Sequence, residues 1–110
     1  MPFYSWEEMP RREQPGNRKS RMIVSDQATV LRVEHFGPAE HKPHVHEESE
    51  QICSLLEGEM EFTLGEETRT VRPGDVVVVP AGVRHSTRVA PGVKALALEV
   101  FAPPRRDLKP

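Results

Sequence analysis

The stretch HVHEESEQICSLLEG, residues 44–58, sets two histidines either side of a valine, then a run of acids, then an apolar segment ending at glycine. Residues i and i+2 of an extended chain face the same way, so His44 and His46 can reach one ion. EES at 47–49 reads as a solvated turn, and QICSLLEG as a strand closed by a Glu-Gly turn. A second stretch, GDVVVVPAGVRHSTRV at residues 74–89, puts His85 at the start of another strand, after a Pro-Ala-Gly turn. Three neutral imidazoles and one oxygen ligand make a site for a divalent first-row metal. The oxygen donor stays open at this level, because Glu47, Glu48, Glu50 and Gln51 all lie within reach. Glu50 and Gln51 face opposite sides of a strand, but the sets Gln51, Cys53, Leu55 and Glu50, Ile52, Ser54 are both mixed in polarity.

Outward from these two stretches the chain reads as short strands. RMIVS and ATVLRVEHF come before, and EMEFTLG alternates with Met60, Phe62 and Leu64 inward and Glu59, Glu61 and Thr63 outward. ETRTVRPGD gives a short strand, VVVVP a β-branched one expected to be covered on both faces, and VRHSTRVAPG and VKALALEVFAP complete eight or nine. His35 and His41 read as surface or satisfied core residues; His35 alternates with Leu31 and Val33, and His41 sits in the loop approaching His44. No apolar stripe of helical period appears. Eleven prolines and seven glycines punctuate 110 residues, enough chain for one compact domain. Short strands at even spacing favour a closed barrel or a double-sheet jelly roll, since closure removes exposed edges. The fold class is therefore all-β and single-domain. An N-terminal arm and first strand are expected at 1–24, the barrel at 25–101 and a tail at 102–110. The first twenty residues read as irregular, with Phe3, Tyr4 and Trp6 covering an end or flank of the barrel.

A net charge of −2 gives no general pull toward nucleic acid, and the basic runs RREQPGNRKSR and RRDLK read as solvated surface. The single cysteine, Cys53, excludes an internal disulfide and lies in an apolar stretch where an inert buried thiol is expected. With no signal-like start and no apolar run near the ~20 residues needed to span a bilayer, a cytoplasmic protein without membrane contacts is expected. The outward apolar residues Leu96, Leu98 and Val100, with RMIV, point to a homodimer.

The two stretches together resemble the motifs of the cupins. The first cupin motif carries His-x-His, three or four residues, Glu, six residues and Gly; here His44, His46, Gln51 and Gly58 stand at those places. The second carries Gly, five residues, Pro-x-Gly, two residues, His, three residues and Asn; here Gly74, Pro80, Gly82 and His85 match, with Val89 in place of Asn. Gly37, at the start of the first motif, lies one residue too far from His44. Counted back from Gly58, the motif's ligand position falls on Gln51 rather than Glu50. The resemblance implies a jelly-roll barrel holding one divalent transition metal ion (Ni, Fe, Mn, Zn or Co) on His44, His46, Gln51 and His85.

An amide in place of a carboxylate leaves such an ion its full double charge, which suits a Lewis acid gripping an anionic or carbonyl substrate better than oxidation chemistry. In LALEVFAPPRRD, Glu99 and Phe101 share a face with the small Ala95 and Ala97, and Arg105 follows a Pro-Pro corner. Glu99 is either an inward carboxylate with work to do or one paired with an arginine or turned outward at a strand end. The ligand set, with Glu99, Phe101 and Arg105, resembles the KdgF-type cupins of pectin and alginate breakdown, which open the ring of unsaturated uronates. That resemblance implies an anionic small-molecule substrate, with Glu99 shuttling a proton, Arg105 gripping the carboxylate and Phe101 packing on the ring. The acid in that group is usually Asp, so Glu99 is one methylene longer. Alternatives in the same barrel are a polyketide cyclase or lyase, a dioxygenase, and a non-catalytic small-molecule-binding cupin.

Overall fold

Alternation of buried and exposed residues governs nearly every element of the chain. A computed structural model describes residues 2–108, so Met1 of the arm and Lys109 and Pro110 of the tail lie outside the described residues. After a 3-10 turn at Trp6–Glu8 come ten strands: β1 (Arg12–Gln14), β2 (Arg18–Val24), β3 (Thr29–Phe36), β4 (Ala39–His44), β5 (Glu50–Glu57), β6 (Met60–Leu64), β7 (Glu67–Val71), β8 (Val76–Val79), β9 (His85–Val89) and β10 (Lys94–Ala102). They form two antiparallel sheets, one ordered β1-β2-β3-β10-β5-β8 and the other β4-β9-β6-β7. This is the expected jelly roll. No helix among the described residues is long and apolar enough to cross a membrane.

The core lies between the sheets. Cys53 and Leu55 of β5, Met60 and Phe62 of β6, Val79 of β8, Val89 of β9 and Ala95 and Ala97 of β10 are all buried there. Burial pushes the Cys53 thiol upward, which keeps it protonated and inert. Glycine is required where the motifs turn. Gly58 has φ +80°, and a Cβ there would come 2.2 Å from the Lys94 carbonyl oxygen. Gly82 has φ +82°, and its N–H donates to the His46 carbonyl at 2.9 Å, joining the second motif's turn to the first motif's histidines.

Several expectations change. The N-terminal twenty residues are not all irregular, because β1 and the first half of β2 lie within them. Arg18 and Ser20 alternate inward on β2, 7% and 5% exposed, so polar residues hid this half-strand from an apolar pattern. Arg18 therefore leaves the basic run expected to be solvated. Phe3 and Tyr4 are exposed rather than covering the barrel. The arm instead folds back through ion pairs, Arg11 to Glu34 at 3.2 Å and Glu7 to Arg21 at 3.9 Å. β8 is an edge strand covered on one face only: Val79 is buried while Val76 and Val78 are about half exposed. Leu96 is buried and so departs from the outward exposed set, although β10 keeps an unbroken register with β3 through it.

Candidate metal centre

The histidines arrive from one sheet and the acid and amide from the other. β4 and β9 pair antiparallel with His44 opposite His85, and His46 continues the chain just past β4. Their rings form one group, with centroids 4.1 Å apart for His44–His85, 4.9 Å for His44–His46 and 5.1 Å for His46–His85. Imidazole nitrogens on one ion sit ~2.1 Å from it and so up to ~4.2 Å apart. Here one ligand atom from each of the three lies within 4.8 Å of the others. Backbone carbonyls hold the remote nitrogens: His44 Nδ1 contacts the Lys42 carbonyl at 2.6 Å and His85 Nδ1 the Val83 carbonyl at 3.0 Å. That arrangement turns Nε2 of each ring toward the lumen, as outer hydrogen bonds do for metal-ligating histidines.

The donor set fits a cation. His46 Nε2, His85 Nε2 and Gln51 Oε1 are all buried without a hydrogen-bond partner among the described residues. Burial lowers all three histidine pKa values, to about 4 for His44 and His46, with the positive charge of Arg105 adding to the effect. The imidazoles are therefore neutral at pH 7, the form that binds metal. Three histidines here can hold a metal ion.

The opposite sheet settles which of two neighbours faces the lumen. On β5, Gln51 is 3% exposed and Glu50 is exposed, so Gln51 shares the inner face with Cys53 and Leu55. β10 lies beside β5 with Phe101 opposite Gln51 and Glu99 opposite Cys53. Gln51 Nε2 donates to Glu99 Oε1 at 2.8 Å, which fixes the amide and leaves its carbonyl oxygen as the free end. Gln51, Glu99, His44 and His85 line one pocket of about 10 Å³, room for a single small occupant.

Glu99 points inward. Burial pushes its carboxyl above the ordinary range, while the charges of Arg18 and Arg105 pull it back. No ion pair of Glu99 is formed among the described residues, so the alternative of a directly paired or outward carboxylate does not hold. Phe101 is buried, with its ring 5.1 Å from that of His46 and the Arg105 guanidinium 4.9 Å above it. Two bonds pin the tail over the mouth: Ser49 Oγ donates to the Pro103 carbonyl at 2.7 Å, and Arg105 N–H to Thr29 Oγ1 at 3.0 Å. Ser49 is thus buried, not part of a fully solvated turn. Arg105 also binds the Asp107 carboxylate through Nε and Nη2. Beneath it lies a mouth cavity of about 390 Å³ shared by His44, His46 and Arg105.

His41 was expected in the approach loop. It lies on β4 opposite Thr87, and its ring stacks on His44 at 3.6 Å. A register shift between His41 and His44 puts residues three apart on one face. Pro43, a residue that strands tolerate at bulges, was the available signal. His35 is buried with both ring nitrogens unpartnered among the described residues. Arg18 had a signal as well, since Arg18, Ser20 and Met22 share the period of β2.

Similar structures share this architecture. A KdgF from Halomonas sp. superimposes with TM-score 0.88 and 26% identity, covering 97% of each chain. An RmlC-like cupin from Shewanella frigidimarina gives TM-score 0.87 at 22% identity over 96% of this chain and 93% of that one. The polyketide cyclase RemF from Streptomyces resistomycificus gives 0.81 at 24% identity, covering 93% and 79%. No curated protein matches the sequence. The family model described as Cupin domain matches residues 32–101, a span that begins within β3, ends in β10 and contains all three histidines. The chain belongs to the cupin family.

Proposed function

We propose that this cupin is a metal-dependent isomerase that opens the ring of a small carboxylated sugar of the unsaturated uronate class. The observation that carries this reading is Glu99: a buried carboxylate, held by the Gln51 amide and flanked by two arginine charges, that shares a pocket with His44 and His85. His44, His46, His85 and the carbonyl oxygen of Gln51 would hold one divalent ion. When bound, that ion supplies Lewis acidity toward a carbonyl or hydroxyl oxygen.

The rest is work for the chain's own side chains. Glu99 takes the proton of the sugar's anomeric hydroxyl. The bond from the anomeric carbon to the ring oxygen then breaks, leaving an aldehyde at one end and an enolate at the other. Glu99 returns the proton to the enolate's carbon, giving a ketone; no atom is gained or lost. A carboxylate whose pKa burial has raised suits both halves of that shuttle. Phe101 forms a flat wall beside His46, and Arg105 meets the sugar's carboxylate at the mouth by exchanging Asp107 for it. Three charged groups, Arg18, Glu99 and Arg105, set among Met22, Leu31 and Val33, favour a carboxylated sugar over the wholly apolar chain of a polyketide.

The likeness to a KdgF structure supports the same substrate class. The test is metal analysis of the purified protein, followed by loss of unsaturated uronate absorbance on mixing. Glu99→Gln should keep the metal and lose at least 100-fold in rate, the usual range for a removed acid–base. Turnover unaffected by Glu99→Gln would overturn the assignment.

The same reading includes a homodimer. Ile23, Val30, Val100, Ile52 and Val78 are consecutive cross-strand partners on the outer face of the six-stranded sheet, and Ile52 and Val78 are 40% and 49% exposed. An apolar row that crosses five strands suits a self-complementary two-fold contact.

A further inference from the structure

Arg18 is a buried cation with no anion in contact with it, the Glu99 carboxylate acting on it only through space. It is 7% exposed, and among the described residues no carboxylate lies within ion-pair distance of it. A guanidinium carries five N–H donors in a planar fork. Only Nε is used, donating to the Pro15 carbonyl at 3.0 Å, so the two Nη groups have no partner among the described residues. Leaving a charge in that state is expensive unless something completes it.

What lies in front of Arg18 is a cavity of about 140 Å³. Gln14, Arg18, Ser20 and Glu99 line it from the six-stranded sheet, His41 from the other sheet and Arg105 from the tail. Gln14 is not competing for an incoming group, since its Nε2 already donates to Ser20 Oγ at 3.0 Å. Arg105 reaches the same cavity, but its fork meets a ligand only by giving up Asp107, whereas that of Arg18 is open without an exchange. The open fork is therefore the inner one, next to the carboxylate assigned to proton transfer.

We propose that Arg18 is the carboxylate anchor of this lumen: it holds the acid group of a small ligand from the inner wall of this cavity, while Arg105 covers it from the mouth. Arg18 thereby sets the choice of acid over neutral sugar, a specificity role that rests on the site taking a carboxylated ligand. A planar carboxylate matches a guanidinium fork bidentately, and Lys supplies the charge without the fork.

The test uses D-glucuronate and its neutral methyl ester, a pair that differs in the charged group, titrated calorimetrically into nickel-loaded protein. Wild type should bind the acid at least 10-fold tighter than the ester. Arg18→Gln should remove that preference by weakening the acid alone, and Arg18→Lys should keep part of it. Melting and nickel content, measured on both variants, identify a variant that has not folded; Arg18→Lys, which keeps the charge, then decides. A preference retained in Arg18→Gln, equal weakening of acid and ester, or no preference in wild type would each overturn the proposal. Equal weakening is the result of a purely structural role, balancing Glu99 or pinning the Pro15 turn. Failure of the ring-opening assay, with the acid-over-ester preference intact, would remove the proposed reaction and leave Arg18 as the anchor.

Discussion

Replacing His35 by leucine should make the metal-free protein less sensitive to mild acid. His35 sits on β3, opposite Arg18 on β2 and Ala95 on β10, and is 2% exposed with no partner among the described residues for either ring nitrogen. Burial, then the neighbouring Arg18 charge, lowers its pKa from 6.5 to about 4. Because the folded value lies below the unfolded one, the folded state binds fewer protons between those limits. Stability is complete above pH 6.5 and falls as the pH drops toward 4. With these two values the loss is about 2 kcal/mol by pH 5 and about 3 kcal/mol by pH 4. Leucine at this position carries no such loss. At pH 7.5 the variant should lie within about 1 kcal/mol of wild type, since an apolar side chain replaces two unsatisfied nitrogens. The assay is urea unfolding of chelator-treated protein at pH 7.5, 6.0, 5.0 and 4.5. His41, His44, His46 and His85 titrate in both proteins and cancel. The difference should grow by about 2 kcal/mol in the variant's favour between pH 7.5 and 5. Parallel stability curves would refute the reasoning, because they would mean that His35 takes up its proton equally in both states.

Other consequences are as direct. His46→Ala or His85→Ala removes one of the three clustered imidazoles, and metal content measured after reconstitution should fall by at least 10-fold. Gln51→Glu should retain the metal but replaces the N–H that Glu99 accepts with a second carboxylate; proton sharing between the two should shift the pH–rate profile, and an unchanged profile would count against the Gln51–Glu99 bond. Val78→Lys puts a charge in the outer apolar row beside Ile52, so sedimentation should show a dimer giving way to monomer with no change in metal content.

Spacing alone carried much of this protein. The His-x-His pair, the count to Gly58 and the second stretch to His85 pointed to a two-sheet barrel and to the three histidines, because strand alternation and positive-φ turns are local properties that leave local marks. Local rules also brought Met60 and Phe62 inward. They ran out where a residue's environment comes from distant chain. Strand alternation alone left Glu50 and Gln51 open, and only the motif count to Gly58 picked Gln51; the packing of β5 against β10 and β8 is what buries it. Arg18 looked like one charge in a basic run, and only pairing of β2 with β3 turns it into the lumen. His41 joins His44 because a shifted register in β4 overrides simple alternation. The sequence by itself determined the two-sheet barrel and three of the site's histidines. Tertiary structure decided that Glu99 turns inward and that Arg18 and His41 join the residues the motifs had named, because only sheet pairing brings residues tens of positions apart onto one inner wall.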